Sequence, residues 1–341
     1  MSNDVVQEII PLQSPARWKK ALQGIRHAFG HTWENGHAMN LTTGYPTYLY
    51  KFSQGATTIV CPLVERYCEG HCDIATPYGF SGFSGNDPVP AFQRYWKAFA
   101  QKRGYVCGYI GLNPLFENPS YLNKTEVYSS NRLYMLNLNS PIATLFNNLH
   151  RDRRKQLRGY EKKAAHFTTD KALLRDFFVT GYPASVQQKK AAPAYHFSPE
   201  TLNFLIDQDN VLMVGAINNG ELEAAAMFAY TSHVAEALLL VLLPERRHLT
   251  MPILWYGLEC LKLKNIPLLN MGGGIREGDS VAEFKQRLGG KEYKLHGLKQ
   301  IYDQENYRGL CRIKNVSHQD MNGYFPPYRK PLMTVPAGTQ T

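Results

Sequence analysis

Residues 268–289 read LLNMGGGIREGDSVAEFKQRLG, and this stretch predicts a strand that ends in three glycines and is followed by a short helix. The predicted strand covers 267–271 and the predicted helix covers 279–288. Because glycine has no side chain, the glycines at 272–274 let backbone amides approach a ligand closely. Lys285 on the helix would then be a fixed cation beside that loop. The alternative is an ordinary strand–turn–helix with a solvated lysine, because the glycine spacing is neither that of a P-loop nor that of a dinucleotide fingerprint.

The chain around this stretch alternates helical and extended patterns in two successive cycles. In the first cycle, two extended runs flank a Ser-Gln-Gly turn at 53–55, which predicts a hairpin, and a helix and an apolar strand follow. In the second cycle, an Asn-Gly turn at 218–220 joins another hairpin, followed again by an apolar strand and a helix. This order predicts an α/β (α+β) fold with two halves, each a mixed sheet flanked by helices. We expect a first half over 1–131, a second half over 132–314 and an irregular tail over 315–341.

The composition is typical of a folded chain of two domains. The chain has 341 residues and 44% hydrophobic residues, which is enough for two buried cores. Its apolar runs fall short of the roughly 20 residues that a membrane-spanning helix needs. Residues 1–15 lack the basic start and apolar core of a secretory signal. We therefore expect a cytoplasmic location.

The net charge and the cysteines bear on partners and metals. A net charge of +10 favours phosphates, nucleic acid or an anionic membrane face, although an ordinary basic surface has the same charge. The six cysteines are expected to be free thiols. Cys68, His71 and Cys72 resemble metal ligands, but no second Cys or His pair accompanies them, so we expect no metal site.

A strongly basic segment after Ser140 and Pro141 predicts one long helix that reaches about residue 165. The acidic partners that would neutralise such a face are missing, so an anion could bind there. A solvated cationic face is the alternative. Helical spacing puts five cations on one face: Arg151, Arg154, Lys155, Arg158 and Lys162.

Two loops are further candidates for binding. In the loop at 73–85, aromatic residues alternate with glycines, and Tyr78 and Gly79 could form a platform for a sugar or a base. Equally, those aromatic side chains could be tucked into the core. In the turn 244–252, Arg246 and Arg247 precede a helix N-terminus, which is a natural anion site.

The turn 244–252 also has a structural interpretation, in which Thr250 is the N-cap of the following helix and the arginines are merely exposed. Glu236 lies in the apolar strand predicted at 234–243. If buried, its carboxylate could be a general base with a raised pKa, and otherwise it points to solvent from a strand edge.

The order of these motifs resembles the Fem-type transferases, a GNAT-like family of peptidoglycan aminoacyl- and peptidyltransferases. A strand followed by a basic segment looks like that family's Arg-x-x-x-Arg segment, with Arg154 and Arg158 at the matching positions. The Leu-Asn-Met-Gly-Gly-Gly run, with Phe284 and Lys285 after it, looks like the family's closing motif. The match covers most of 40–305. The resemblance implies twin GNAT folds with Lys285 at the junction of donor and acceptor.

The resemblance also implies attack of an amine on an activated acyl carbonyl, with aminoacyl-tRNA as donor and a peptidoglycan precursor as acceptor. The glycine-rich pyrophosphate loop of acetyl-CoA GNAT enzymes is absent, and Arg246 to Pro252 stand in its place. Pro252 removes an amide donor, so a charged tRNA is favoured over acetyl-CoA. Two alternatives stay open: an acyl-CoA- or acyl-carrier-dependent N-acetyltransferase acting on an amino sugar, and a non-catalytic RNA- or phosphate-binding protein.

From these patterns we expect no permanently bound cofactor and a phosphate-bearing co-substrate, either aminoacyl-tRNA or acyl-CoA. The expected acceptor is nucleotide-linked or lipid-linked, with peripheral contact to the inner membrane face. The candidate catalytic residues are Lys285 and Phe284. The candidate substrate-binding residues are Arg154, Arg158, Tyr78, Gly79, Gly272, Gly273, Gly274, Arg246 and Arg247.

Overall fold

The computed structural model describes residues 4–159, 166–274 and 278–330, which form thirteen strands and ten α-helices. The first nine elements are β1 (Val5–Pro11), α1 (Pro15–Ala21), α2 (Trp33–Thr43), β2 (Thr47–Gln54), β3 (Thr57–Cys68), β4 (His71–Ala75), β5 (Ser84–Gly85), α3 (Phe92–Lys102) and β6 (Tyr105–Gly111). There follow β7 (Val127–Asn137), α4 (Ile142–Asn148), α5 (Arg151–Gln156), β8 (Phe167–Thr168), α6 (Lys171–Gln188), α7 (Pro199–Asp207), β9 (Val211–Asn218), β10 (Glu221–Tyr230), β11 (Ala235–Leu242), α8 (Thr250–Leu263), β12 (Leu268–Asn270), α9 (Ser280–Gln286), β13 (Lys291–Ile301) and α10 (Gln304–Ile313).

The described strands form a single mixed sheet in the order β1-β2-β3-β4-β6-β13-β7-β12-β11-β10-β9-β8, with β5 beside β3. Strands β4 and β6 are parallel, as are β11 and β12. The α/β fold with mixed pairing is therefore confirmed. The expected separation into two sheets is wrong, because β13 lies between β6 and β7 and pairs with both. The boundary expected between residues 131 and 132 falls inside β7.

The two ends of the sheet repeat one order of elements. In each, two helices are followed by three antiparallel strands, a crossover helix and a strand parallel to the third. The first set is α1, α2, β2, β3, β4, α3 and β6, and the second is α6, α7, β9, β10, β11, α8 and β12. The twin arrangement predicted from the order of patterns is thus present.

Buried apolar clusters hold the helices on the sheet and join the two halves. An aromatic core under α3 includes Phe92 and Trp96, and a second core lies between α8 and the strands of the second half. A third core packs α2 against α6 and α7. There the Thr201 hydroxyl donates to the carbonyl of Ala38 at 2.9 Å, which fixes one half against the other.

The long basic helix predicted after Pro141 is wrong, because it breaks at Leu149 and His150. Both residues have extended ψ angles, and the His150 ring accepts a hydrogen bond from the amide of Asp152 to cap α5. The guanidinium of Arg154 donates to the carbonyls of Asn147 and Leu149, which the end of α4 leaves open. Lys162, predicted on the same face, lies outside the described residues.

Other parts of the chain also differ from the predicted pattern. Helix α6 continues through Pro183 to Gln188, and the helices α7 and α10 have no counterpart among the predicted elements. The described part of the tail is irregular apart from a 3-10 helix at Pro327–Arg329. It is fastened to the first half because Arg329 binds the buried carboxylate of Asp73 at 2.5 Å. None of the described helices is long and apolar enough to cross a membrane.

Candidate functional site

Lys285 lies against the glycine loop, which we define as residues 271–274. Its Nζ donates to the carbonyl oxygen of Gly273 at 2.6 Å. A Cβ added to Gly272, whose φ is +73°, would lie 3.0 Å from that Nζ, so the glycine makes room for the ammonium. Burial lowers the pKa of Lys285 to about 8. At neutral pH the side chain is therefore a positioned cation, and it loses its proton when the pH rises slightly above neutral.

Hydrogen bonds to β7 and β12 hold the glycine loop in place. The amide of Tyr134 donates to the Gly272 carbonyl at 3.2 Å, and Asn131 Nδ2 donates to the Gly274 carbonyl at 2.6 Å. A Cβ on Gly273 would lie 2.3 Å from the carbonyl oxygen of Arg132, so only glycine fits there. The carbonyls of Gly272, Gly273 and Gly274 thus each accept a hydrogen bond from elsewhere in the protein. Lys285 is one of the three donors.

Helix α9 packs on the bend between α4 and α5, which brings the two strongest sequence motifs together. The guanidinium of Arg153 lies 4.5 Å from the centre of the Phe284 ring. The amide of His150 donates to the carbonyl of Arg287 at 2.9 Å, and a Cβ on Gly289 would meet the Asn148 carbonyl at 2.3 Å. A phenyl ring has no proton to exchange, so Phe284 contributes packing that positions its neighbour Lys285.

The arginines at 154 and 158 have different environments. Arg154 Nη1 is bound to carbonyls at 2.7 and 2.8 Å, whereas Arg158 is exposed beyond the end of α5. They do not share the continuous helical face that the sequence predicted. Phosphate binding by either arginine stays a prediction, and Arg158 is the more accessible of the two.

A cleft of about 700 Å³ opens where β4 and β6 end in the first half, and we call it the aromatic cleft. Tyr78 lines it and makes edge contacts with Tyr195 and Phe197 of the second half, at 5.5 and 5.2 Å between ring centres. A Cβ added to Gly79, whose φ is +120°, would lie 3.3 Å from the Cα of Gly30. The loop at 73–85 therefore fits both predictions in part, because Tyr78 faces the cleft while Phe83 is buried in the core.

Two polar side chains of the aromatic cleft were missed by sequence reasoning. His296 Nδ1 lies 3.1 Å from Glu117 Oε2 and the ring lines the cleft. Lys299 Nζ donates to the carbonyl of Gly323 at 2.9 Å, which holds the tail over one end of the cleft. The residues of the first pair are 179 positions apart, so no local pattern could have joined them.

Glu236 lies on β11 beside β12, the strand that leads into the glycine loop. Only 3% of it is exposed, burial raises its pKa to about 8, and Oε1 has no hydrogen-bond partner among the described residues. It pairs in register with Asn270, whose Oδ1 accepts the amide of Gly272 at 2.8 Å. Burial raises the pKa of Tyr78, and nearby tyrosines and Glu236 add to the effect. The alternative of a solvated Glu236 is wrong.

The turn before α8 is a 3-10 helix at Pro244–Leu249. Arg246 Nε is paired with Glu223 at 2.8 Å, and Arg247 is exposed. Helix α8 begins at Thr250 with Leu249 at the cap position and no side-chain cap bond, so the predicted Thr250 cap is wrong. Of the two arginines, Arg247 is the one left without an ion pair in the described part of the chain.

A second cleft, of about 970 Å³, lies at another junction of the two halves. His27 and His233 line it, with ring centres 5.5 Å apart, and burial lowers the pKa of both. Lys19 and Lys264 stand at its rim. Sequence reasoning did not single out these residues. In the described parts of the chain, no group of three or more His, Cys, Asp or Glu side chains could hold a metal ion.

No model of a protein family and no curated protein matches this chain. Solved structures are similar to it in fold. The crystal structure of FemX matches with a TM-score of 0.65 and 11% identity over 89% of this chain and 99% of that one. A conserved protein of unknown function from Bacteroides thetaiotaomicron matches with a TM-score of 0.59 and 9% identity over 87% and 100%. The structure of L-PGS from Bacillus licheniformis matches with a TM-score of 0.56 and 11% identity over 85% and 92%. The chain therefore has the Fem-type, GNAT-like fold.

Proposed function

We propose that this chain is an N-acyl- or aminoacyltransferase that moves an activated acyl group to an amine. The acceptor would be a nucleotide-linked or lipid-linked sugar or peptide precursor of the cell envelope. The observation that carries the proposal is the ammonium of Lys285, held 2.6 Å from the carbonyl of Gly273, in a Fem-type fold. The aromatic cleft has room for an acceptor.

The chemistry follows from the charge of the lysine. When an amine attacks an acyl carbonyl, negative charge collects on the carbonyl oxygen, and a preorganised donor stabilises it. Lys285 is protonated at neutral pH, because its pKa of about 8 lies above 7. Partial burial strengthens the field of its charge. Lys285 is thus suited to hold the oxyanion, while Phe284 and the glycine loop keep it in place.

The turn before α8 supports a donor other than a coenzyme A thioester. Such a donor is normally gripped by backbone amides of a glycine-rich turn. Here Arg246 fills the turn and is engaged by Glu223 at 2.8 Å, and Pro252 lacks an amide proton. The exposed cations Arg151, Lys155 and Arg158 suit a larger phosphate-bearing donor such as an aminoacyl-tRNA. The same cations would favour peripheral contact with an anionic membrane face.

The walls of the aromatic cleft support an acceptor that carries a sugar or a base. Tyr78 and Tyr195 offer ring faces and edges for stacking, and each is only partly covered by neighbours. A cleft of about 700 Å³ falls in the size range of small-molecule sites. Tyr78 and Gly79 are therefore proposed as acceptor-binding residues.

The proposal is tested by offering the purified protein bulk tRNA charged with labelled amino acids and, separately, acetyl-CoA. The acceptors are a UDP-linked muramyl peptide and glucosamine, and products are identified by mass spectrometry. We expect transfer from the charged tRNA and none from the Lys285→Ala variant. Transfer from acetyl-CoA alone would favour the amino-sugar N-acetyltransferase instead. Binding of tRNA without any product would instead indicate a non-catalytic phosphate-binding protein.

A further inference from the structure

The pair formed by His296 and Glu117 has the geometry of an oriented base. Their Nδ1 and Oε2 atoms lie 3.1 Å apart, and the side chains are 27% and 21% exposed. An ionised carboxylate can only accept a hydrogen bond, so Nδ1 carries the proton. In the neutral imidazole, Nε2 then holds a free lone pair. His296 lines the aromatic cleft, so a proton acceptor is available there.

The β7–β13 ladder places this base near the glycine loop. His296 of β13 is opposite Ser129 of β7, and the register shifts between Leu295 and His296. Such a bulge re-aims a side chain. Two residues further along β7, Asn131 holds the carbonyl of Gly274 at 2.6 Å. Two residues of strand span about 7 Å. The His296 end of the cleft therefore adjoins the loop on which Lys285 is seated.

Other titratable groups near the cleft are less suited to take a proton. Arg66 is paired with Asp73 at 2.6 Å, and Lys299 is bound to the carbonyl of Gly323 at 2.9 Å, so both are engaged cations. Glu236 is buried and, because its pKa is about 8, it is mostly protonated at neutral pH. Tyrosine hydroxyls ionise well above neutral pH. Among the described residues that line the cleft, His296 therefore offers the ring nitrogen best placed to accept a proton.

We propose that His296 is the general base of the transfer and a catalytic residue, and that Glu117 is the residue that positions it. This inference rests on the proposed function. The acceptor ammonium loses one proton to water, and the freed amine attacks the acyl carbonyl to form the C–N bond while His296 Nε2 takes a second proton from the attacking nitrogen. When the C–O or C–S bond to the donor breaks, the leaving group takes a proton from the imidazolium. Atoms and charge balance, because one of the two protons that leave the acceptor nitrogen goes to water and the other ends on the leaving group.

The test compares His296→Ala, His296→Gln and Glu117→Gln with the wild type, using labelled charged tRNA and the UDP-linked muramyl peptide. Loss of a general base lowers turnover about 100-fold, so we expect that fall in kcat for both His296 variants with little change in KM. Added imidazole should restore turnover to His296→Ala and not to Lys285→Ala. Glu117→Gln should lower kcat about tenfold, because the ring loses its orientation while the acceptor still binds. The exposed His166 provides the matched control, His166→Ala, which should behave as the wild type.

His296→Gln keeps a polar side chain next to Glu117, so circular dichroism of that variant separates a lost base from a lost fold. Normal turnover of His296→Ala, or a loss that imidazole does not rescue, overturns the inference while the proposed function stands. A wild-type protein that transfers nothing from any donor overturns the proposed function and the inference with it.

Discussion

The two parallel strand pairs occupy equivalent places in the two halves and are used differently. β4 and β6 are joined through the crossover helix α3, and β11 and β12 through α8. At the ends of β4 and β6 the sheet opens into the aromatic cleft. At the corresponding end of β12 the glycine loop turns back onto β7 and seats Lys285. One topology thus provides space in the first half and a fixed charge in the second.

The residues next to each pair account for the difference. After β4 the chain leaves through Thr76, whose Oγ1 accepts the amide of Gly111 at 3.1 Å, and Tyr78 lines the cleft beyond it. After β12, Gly273 lets the backbone come so close to Arg132 that any Cβ would clash. The register pair of Glu236 and Asn270 fills the interior between β11 and β12. We conclude that the closed end at β12 depends on glycine, because any larger residue at 273 would keep the loop from lying against β7.

The largest effect is expected for Lys285→Met, which removes the charge and keeps much of the volume. Loss of a donor to the oxyanion lowers kcat about 100-fold to 1,000-fold. The matched control is Lys262→Met, because Lys262 Nζ also donates to carbonyls, those of Leu138 and Ser140, outside the glycine loop. Lys262→Met should lose stability and keep its turnover, as measured by melting and initial rates. Equal losses of activity in both variants would remove the assigned asymmetry between the halves.

The pH dependence of stability tests whether the carboxyl of Glu236, on the parallel pair β11–β12, is buried and neutral. The pKa of Glu236 is raised from 4.5 to about 8, so between these values the native state keeps a proton that the unfolded state has released. Stability contributed by the neutral carboxyl is therefore present below about pH 4.5 and is lost as the pH rises towards 8. We expect Glu236→Gln to be about 4 kcal/mol more stable than the wild type at pH 8. At pH 4.5 the two should unfold alike in urea. Parallel pH profiles would show that Glu236 is ionised and solvated.

A smaller effect is expected for Gly272→Ala. Its φ of +73° disfavours alanine, and the added methyl would lie 3.0 Å from Lys285 Nζ. We expect about tenfold lower turnover, or roughly 1.4 kcal/mol in the barrier, from displacement of the ammonium. The matched control is Gly278→Ala, which has a φ of +74° and no described residue within 4 Å of the added carbon beyond its chain neighbours. If the two variants melt at similar temperatures but differ in turnover, the contact between the added methyl and Lys285 is supported. Equal turnover would mean that Gly272→Ala acts only through backbone strain.

The smallest effect is expected at the surface next to the glycine loop. Arg158→Gln should weaken binding of bulk tRNA a few-fold and lower the slope of log affinity against log salt by about one. Arg154→Gln should instead cost about 1 kcal/mol of stability, because Arg154 holds two carbonyls at the end of α4. Filter binding at several salt concentrations and urea unfolding separate these outcomes. An unchanged salt slope for Arg158→Gln would mean that this cation is only solvated.

Local patterns gave much of the fold and part of the candidate site. The hairpins at β2–β3 and β9–β10 were predicted from alternating residues and glycine turns, and both are confirmed. The strand, glycine loop and helix around Lys285 also lie where the pattern placed them. The break at Leu149 and His150 was not predictable, because the bonds from Arg154 that stabilise it compete with a helical pattern that is locally sound.

Apart from the helix break at Leu149 and His150 and the helices α7 and α10, the sequence by itself determined the element types, the twin order of strands and helices, and the placement of three glycines before a lysine. These follow from near-neighbour periodicity and from the conformational freedom of glycine, which act within a few residues. Only the tertiary structure decided that β13 joins the halves into one sheet and that His296 meets Glu117 across 179 positions. It also decided that Glu236 is buried without a partner for Oε1 in the described part of the chain. Such contacts depend on how distant segments pack together, and no periodicity within a segment records which surface another segment will cover.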